Sequence, residues 1–470
     1  MTDQPSGPAP DELAALLQVE YLLDQRWPET KLEPSTARIS ALMEMLGSPQ
    51  LGYPCIHITG TNGKTSVARM IDSLLTAFHR RTGRATSPHL QSAIERIAID
   101  NEPISPARYV ETYCEIEPFV QMVDQKSQAG ELGLPGPPMS KFEVVTAMAF
   151  AAFADAPVDI AVVEVGMGGR WDATNVVAAP VAVITPIGID HAGYLGESIG
   201  EIAAEKAGII GAREGTDTVA VIGRQSPEAM EVLLAQTVRT DAAVAREDSE
   251  FAVLDRQVAV GGQVLEIQGL GGVYSDIFLP LHGEHQAHNA AVALAAVEAF
   301  FGAGAARQLD IDTVRSGFAA VRSPGRLERV RSAPTVFVDA AHNPGGAAAL
   351  AQSLTGEFDF NYLVGVVSVM GDKDADGILR ALEPAFDEIV VTHNGSVRAM
   401  DVESLAMRAE EVFGPERVIR ADTLPDAIET ATTLLEQSTD SDRFSGAGIV
   451  ITGSVVTAGA ARTLFGKDPR

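Results

Sequence analysis

Residues 55–66 read Cys55-Ile56-His57-Ile58-Thr59-Gly60-Thr61-Asn62-Gly63-Lys64-Thr65-Ser66. A short β-branched run ends in a glycine-containing turn, and a helix-like stretch over residues 67–78 follows at once. Small glycines let backbone N–H groups converge on phosphate oxygens, and the start of a helix adds the positive end of its dipole. In such a loop Lys64 reaches the β- and γ-phosphates of a nucleotide, and the hydroxyl of Thr65 or Ser66 faces Mg²⁺. We therefore predict a phosphate-binding loop.

The loop is shorter than the most widespread form of this motif. The pattern G-x-x-x-x-G-K-[ST] requires glycine at position 58, where the chain has Ile58, so that only Gly60-x-x-Gly63-Lys64-Thr65 remains. So short a match can arise by chance in a long chain. The apolar strand before it and the helix after it favour the nucleotide interpretation.

Length and composition indicate a soluble protein of two domains. A chain of 470 residues is too long to fold around a single hydrophobic core. Its composition, with 46% hydrophobic and 21% charged residues, is usual for globular proteins. The formal net charge of −28 argues against a nucleic-acid or anionic-membrane partner, because phosphates would be repelled. Cys55 and Cys114 form neither a disulfide framework nor a metal-ligand spacing, which fits a reducing cytosol. The apolar run at 144–154 is too short to span a bilayer, and residues 1–10 are no signal peptide, so we expect a cytoplasmic protein.

Two further apolar runs are typical of buried strands, and each has polar residues at or just after its C-terminal end. Residues 158–165 form an apolar run that contains Glu164, and residues 181–187 form another that precedes Asp190 and His191. A carboxylate inside an apolar strand is costly unless it is paired or binds a cation. Ligands of α/β sheets bind at the carboxyl ends of the strands, so we predict that Glu164 binds Mg²⁺ near the phosphate loop.

The remaining patterns give the domain plan. From residue 335 onward, strands and helices alternate, which predicts a parallel, doubly wound sheet. Pro324-Gly325 marks the boundary between residues 1–322 and 323–470. We expect a mobile Gly/Pro-rich surface loop at 125–138 and an alanine-rich helix at 289–300. Helices are also predicted at 11–23 and 34–46. The histidines His282, His285 and His288 before the alanine-rich helix lack the partners of a zinc site.

Nine short sequence motifs follow one another along the chain. They are Gly60 to Thr65, Thr86 to Leu90, Glu164 to Asn175, Asp190-His191, Glu205 to Gly208, His285-Gln286 with Asn289, Pro324-Gly325-Arg326, Asp339 to Pro344 and Asp372-Lys373-Asp374. Together they resemble the folylpolyglutamate synthase/dihydrofolate synthase family within the Mur-ligase-like superfamily. The resemblance implies an α/β fold with a P-loop ATPase domain of mainly parallel sheet and a smaller, Rossmann-like C-terminal α/β domain. ATP would bind between them.

The resemblance also implies roles for single residues. The ATP-binding set would be Gly60, Thr61, Asn62, Gly63, Lys64, Thr65, Ser66, Asn289, Arg326 and Asp339. Two Mg²⁺ ions would be held, one by Ser87 and Glu164 and the other by His191. The catalytic set would be Lys64, Lys206, Glu164, His191 and His342. The resemblance further implies that Lys206 is carbamylated and that a monovalent cation binds. The folate pocket would include Ser140, Phe142, Glu143, Trp171, Asp172 and Ala173, and the glutamate site Lys373, His393, Ser396 and Arg398.

These implications predict one reaction. A monomeric ligase would use ATP to convert a carboxylate of dihydropteroate, or of a tetrahydrofolyl-(poly)glutamate, into an acyl phosphate, which L-glutamate then attacks. This chemistry belongs to folate biosynthesis and one-carbon metabolism. It requires positioning and cations around the γ-phosphate but no Ser-His-Asp or Cys-His nucleophile. We expect both substrates to be accepted, while the preferred folate form and the glutamate chain length stay open.

Two alternative functions are compatible with a phosphate-binding loop. A Mur-type ligase acting on another carboxylate shares the loop, but its uridine-nucleotide domain before the loop has no room in about fifty residues. A nucleotide switch or a transport ATPase is of a different class. A GTP-type switch needs an Asn-Lys-x-Asp motif, and the chain contains no Asn-Lys pair.

Overall fold

The structure, a computed structural model, describes residues 9–27, 34–213, 215–302, 304, 307–438 and 446–469. We call the portion that ends at residue 319 the N-terminal lobe and the portion that begins at residue 328 the C-terminal lobe. Among the described helices, none combines the length and the apolar character needed to cross a membrane.

The N-terminal lobe is built on an eight-stranded sheet with the order β4-β3-β2-β5-β1-β6-β7-β8. Six strands run parallel, and β3 and β4 are added antiparallel at one edge. β1 lies in the interior and every one of its residues is buried, the polar His57 and Thr59 included. The strands are β1 (Cys55–Thr59), β2 (Thr82–Ala85), β3 (Ile97–Ile99), β4 (Glu102–Pro103), β5 (Ile160–Glu164), β6 (Val181–Ile184), β7 (Val219–Ile222) and β8 (Ala243–Arg246).

Helices cover both faces of this sheet. One face packs against α3, α9 and α10, and the other packs against α1, α2, α4 and α5. The helices are α1 (Pro10–Asp24), α2 (Ala37–Met45), α3 (Lys64–Ala77), α4 (Pro106–Ala129), α5 (Lys141–Asp155), α6 (Ala192–Leu195), α7 (Ile199–Lys206), α8 (Pro227–Thr240), α9 (Glu284–Phe300) and α10 (Ile311–Ala319). α9 is buried along nearly its whole length, because its alanines let neighbouring elements approach from all sides.

A separate antiparallel sheet of three strands follows β8. It consists of β9 (Ala252–Ala259), β10 (Gly262–Gln268) and β11 (Val273–Leu279), and β10 lies in the middle. One side of it packs on the same core as α9. The sequence analysis did not predict this sheet, since β9 is mostly polar and only partly buried. The paired glycines at 261–262 and 271–272 are the hairpin signals that could have found it.

The C-terminal lobe holds a six-stranded sheet with the order β12-β13-β17-β14-β15-β16. All its strands are parallel except β12, which pairs antiparallel with β13. The predicted α/β fold class with mainly parallel sheets is thus confirmed. The elements are β12 (Glu328–Ser332), β13 (Thr335–Val338), α11 (Pro344–Glu357), β14 (Tyr362–Val367), α12 (Ala375–Leu382), β15 (Glu388–Val391), α13 (Val402–Phe413), β16 (Val418–Arg420), α14 (Leu424–Ser438), β17 (Ala447–Thr452) and α15 (Val455–Leu464).

Three local predictions need correction. The loop expected at 125–138 begins as helix, because α4 continues until Gly130, whose φ of 78° ends it. The alanine-rich helix starts earlier than residue 289. Gly283 at its N-terminus and Glu284 in its first turn place His285 and His288 on α9. α2 begins at Ala37, three residues after the start of the helix expected at 34–46.

Candidate active site

The glycines of the phosphate loop are required by close packing. The loop joins β1 to α3, and Gly60 and Gly63 have φ values of 147° and 89°. A Cβ on Gly60 would lie 1.9 Å from Thr185 Oγ1, and a Cβ on Gly63 would lie 2.6 Å from Asn289 Oδ1. The backbone N–H of Thr61 donates to Pro186 O at 3.0 Å, so the loop is held against the end of β6.

Two lysines converge on this loop from different elements. Lys64 Nζ donates to Gly60 O at 3.1 Å and to Thr61 O at 3.2 Å. Lys206, the last residue of α7, donates from Nζ to the same Gly60 O at 2.8 Å. Burial lowers the pKa of both ammonium groups, and together with the positive charge of the neighbouring Lys64 it brings the pKa of Lys206 to about 7. The loop therefore has cationic side chains on it in an otherwise acidic protein.

Glu164 ends β5 beside the loop, where it is 3% exposed. Both of its carboxylate oxygens accept from Thr65 Oγ1 at 3.0 Å, and the backbone N–H of Ser87 donates to it as well. Burial raises its pKa, and the positive charge of Lys64 opposes that shift. Such a carboxylate is costly without a cation, and hydroxyl and carboxylate oxygens are what Mg²⁺ prefers. The donors Ser87, Thr65 and Glu164 thus fit a magnesium ion.

His191, the predicted ligand of the second ion, lies beyond the end of β6. Its Nε2 is 3.8 Å from Asp190 Oδ2, and burial lowers its pKa to about 4, so the imidazole is neutral at pH 7. Neutral imidazole is the form that binds a metal. Within the described ranges, three or more His, Cys, Asp or Glu side chains do not come together around one point.

The C-terminal lobe supplies the opposite wall. Asp339 is buried, and its carboxylate accepts from the backbone N–H groups of Leu327 at 2.7 Å and Ala341 at 2.8 Å. Burial raises its pKa and Arg326 opposes the shift. His342 Nδ1 donates to Ala340 O at 3.0 Å, and burial lowers the pKa of this histidine to about 4.

A cleft of about 420 Å³ runs between these walls. It gathers every residue predicted for nucleotide binding, metal binding and catalysis. Those lining residues are Gly60, Thr61, Asn62, Gly63, Lys64, Thr65, Ser66, Ser87, Glu164, His191, Lys206, Asn289, Arg326, Asp339 and His342. Their juxtaposition is observed, whereas the role of each stays a prediction.

The predicted folate residues lie beside the cleft and divide into two groups. Phe142 packs against Gly166, which lines the cleft, and Trp171 packs against Gly168. The carboxylates of Glu143 and Asp172 instead accept hydrogen bonds from groups inside the protein. Ser140 caps α5 by accepting from the backbone N–H of Glu143.

The buried partners of those carboxylates show what they support. Glu143 Oε1 accepts from Arg38 Nε at 3.0 Å. Asp172 accepts from the backbone N–H groups of Met167 and Thr174 at 2.9 Å. Ala173 is buried next to this turn. In this geometry Glu143 and Asp172 hold the wall in shape.

Of the residues predicted for the L-glutamate site, Lys373 contacts the other lobe. Its Nζ lies 2.7 Å from Asp190 Oδ1 in the N-terminal lobe. Arg398 binds the loop at residues 371–372, since its carbonyl accepts from Gly371 N at 2.8 Å and its guanidinium contacts Asp372 at 3.0 Å. His393 and Ser396 lie on that same loop and bond mainly to its backbone. The cleft lining includes none of these four residues.

Other side chains line the cleft that the sequence analysis did not single out. Arg69 lies on α3, one turn after Ser66, so helical spacing from the loop was the available signal. Glu247 directly follows β8, and its Oε1 lies 2.6 Å from His288 Nδ1. No local pattern marks that contact, which joins residues 41 positions apart.

Comparisons with known proteins agree along the whole chain. Residues 126–297 match the Mur ligase middle domain, and residues 325–454 match the Mur ligase glutamate ligase domain. The dihydrofolate synthase/folylpolyglutamate synthase of Mycobacterium tuberculosis is 73% identical, over 98% of this chain and 96% of the relative. That of Bacillus subtilis is 35% identical, over 75% of this chain and 79% of the relative.

Solved structures match equally well. Folylpolyglutamate synthase of M. tuberculosis complexed with ADP superposes with a TM-score of 0.93 at 72% identity, covering 98% of this chain and 100% of the other. The Escherichia coli FolC complex with DHPP and ADP superposes with a TM-score of 0.79 at 25% identity, covering 98% and 99%.

Proposed function

The chain belongs to the dihydrofolate synthase/folylpolyglutamate synthase family of Mur ligases, an ATP-dependent ligase that adds glutamate in folate biosynthesis, and from this we propose the finer reaction. Both dihydropteroate and reduced folyl-(poly)glutamates are substrates, each through an acyl phosphate. Neither a different Mur-type ligase nor a nucleotide switch or transport ATPase draws support from these relatives. The observation that carries the proposal is the single cleft in which Lys64, Glu164 and Lys206 face Arg326 and His342.

The first step activates the substrate carboxylate. One of its oxygens attacks the γ-phosphorus of ATP, the bond to the β–γ bridging oxygen breaks, and ADP leaves. Little covalent help is needed from the protein, so cations that offset charge on the γ-phosphoryl group supply most of the catalysis. Lys64 on the loop and Arg326 on the opposite wall would supply these charges, while Asn289 and Asp339 would contact the nucleotide.

The second step forms the amide. The neutral α-amine of L-glutamate attacks the acyl carbon to give a tetrahedral adduct. The bond from that carbon to the phosphate oxygen then breaks, phosphate leaves, and the nitrogen gives one of its two protons to water and keeps the other as the amide N–H. Lys373 is in position to hold a carboxylate of the incoming amino acid, and Arg398, Ser396 and His393 lie on the adjoining loop. The pterin would rest near Phe142 and Trp171, within the wall that Ser140, Glu143, Asp172 and Ala173 shape.

Magnesium fits the donor set on the loop side. Ser87 and Glu164 would hold one ion and His191 a second. When bound, Mg²⁺ neutralises charge on the β- and γ-phosphates. We propose in addition that a monovalent cation binds.

We propose that Lys206 is carbamylated. Its lowered pKa of about 7 leaves much of the amine neutral, and the neutral amine is the form that adds to CO₂. The new N–C bond forms as one proton leaves, so a cation becomes an anion. That anion would then lie beside the phosphate loop, where it can support a metal ion.

The remaining parts of the proposal concern organisation. We propose a domain boundary at 322/323, supported by the linker between α10 and β12. We propose a monomer, because one chain contributes both walls of the cleft.

The decisive experiment uses purified protein with ATP and L-glutamate. Dihydropteroate or tetrahydrofolate is added, and the products are read by mass spectrometry alongside ADP. We expect one glutamate to be added to each substrate, with ADP formed in equal amount. ATP hydrolysis that is indifferent to both substrates would overturn the proposal.

A further inference from the structure

A buried asparagine joins the two lobes. Asn343 directly precedes α11 and is 4% exposed. Its Oδ1 accepts from the backbone N–H of Gly346 at 2.8 Å and so caps the helix. Its Nδ2 points the other way and donates across the cleft to Asn62 Oδ1 at 2.9 Å and to Asp190 Oδ2 at 3.3 Å. One amide group therefore serves three elements.

The first partner across the cleft is the phosphate loop itself. Asn62 belongs to that loop, and its backbone N–H donates to Pro186 O at 3.3 Å. The start of α11 also packs onto it, since a Cβ on Gly345 would come within 3.1 Å of Asn62 Nδ2. A movement of the C-terminal lobe is thus transmitted to the loop that holds the phosphates.

The second partner connects to the glutamate site. Asp190 Oδ1 accepts from Lys373 Nζ at 2.7 Å and from the backbone N–H of His191 at 2.8 Å. The side chains of Asp190 and Lys373 are only 10% and 12% exposed, so this ion pair is largely shielded from water. His342 Nε2 lies 3.8 Å from the other oxygen of Asp190.

We propose that Asn343 is a positioning residue that couples lobe closure to ligation. It holds the phosphate loop and the Asp190–Lys373 pair in register, so that the acyl phosphate is enclosed together with the incoming glutamate. This inference rests on the proposed function. An amide suits the task because it offers an acceptor for the cap and donors for the interface at once.

Coupling matters because water competes with glutamate. If the lobes part before the amine attacks, water attacks the acyl phosphate instead. The carboxylate and inorganic phosphate are then released, so that ATP is consumed and no amide bond forms. The ratio of ADP formed to glutamate added therefore measures closure directly.

Two variants separate the interface from the helix cap. Asn343→Asp keeps an acceptor of the same length for Gly346 but cannot donate, and it places a second carboxylate against Asp190. Asn343→Ser also caps a helix well but is too short to reach Asn62. We expect both to form several times more ADP than product, with the larger excess in Asn343→Asp. We also expect the KM for L-glutamate to rise about tenfold, as loss of one hydrogen bond to a charged group implies.

A cap variant elsewhere provides the control. Asp310 caps α10 by accepting from Thr313 N at 2.8 Å, and it is not among the residues that line the cleft. Asp310→Ala should lower the melting temperature while ADP and product stay equal. Folded Asn343→Asp with equal ADP and product and an unchanged KM for L-glutamate would overturn the inference. Should Asn343→Asp fail to fold, Asn343→Ser decides by the same criterion, and failure of the wild-type protein to add glutamate would instead refute the proposed function.

Discussion

Replacing Gly63 by alanine tests whether the phosphate loop works through its packing against α9. Gly63 has a φ of 89°, and an added Cβ would lie 2.6 Å from Asn289 Oδ1. To reach ordinary van der Waals contact, the amide or the loop has to retreat by about 0.8 Å. A misplacement of about 1 Å at a reacting centre can cost about 10²-fold in rate. We therefore expect kcat/KM for ATP to fall by about 10²-fold.

A matched glycine isolates this clash from backbone strain. Gly47 has a φ of 80°, and an added Cβ there meets nothing within 4 Å. The left-handed conformation costs an alanine about 1–2 kcal/mol, and each kcal/mol lowers Tm by about 2–4 °C in a domain of this size. Gly47→Ala should show that loss of stability with normal kinetics, while Gly63→Ala should show it together with the kinetic defect. Steady-state kinetics and thermal melts measure both, and Gly63→Ala with an ATP kcat/KM within about twofold of wild type would refute the packing argument.

Three further predictions concern single side chains. Lys64→Ala should lower kcat for ligation by about 10²–10³-fold, the usual loss for one charge-stabilising donor; near-normal turnover would contradict its role. Lys206→Ala should lose activity that short carboxylates partly restore, and wild-type activity should increase as pH rises through about 7, since the neutral amine accumulates above its pKa; a flat pH profile and no rescue would argue against the carbamate. Glu143→Gln should destabilise the fold by about 3–5 kcal/mol, because it removes the carboxylate charge that faces the buried guanidinium of Arg38, and denaturant titration showing less than about 1 kcal/mol would indicate that the ion pair is dispensable.

The parts of the site that follow from local spacing could be predicted from sequence. Gly60, Gly63 and Lys64 are close in the chain, and their chemistry depends on the strand and helix directly beside them. Glu164 was recognisable because an acid in an apolar run needs a partner. The family prediction, the ligase activity and the α/β fold class are confirmed by the relatives.

The remaining features depend on contacts between distant segments. Asn343 reaches Asn62 across 281 residues, and nothing in either neighbourhood indicates that pairing. The three-stranded sheet was missed for a different reason, since its first strand, β9, is mostly polar and only partly buried. The helical start at Glu284 depended on Gly283, whose φ of 100° only the folded chain displays.

The burial of α9 has a consequence for dynamics. Its backbone amides are shielded by packing on every side, so they should exchange their hydrogens for deuterium only when the N-terminal lobe unfolds as a whole. Asn289 would then be a fixed reference point against which the rest of the cleft opens. The backbone rotation that lets the lobes separate must fall in the linker after α10. Partial opening would therefore expose the amides of that linker to hydrogen exchange long before the amides of α9 exchange.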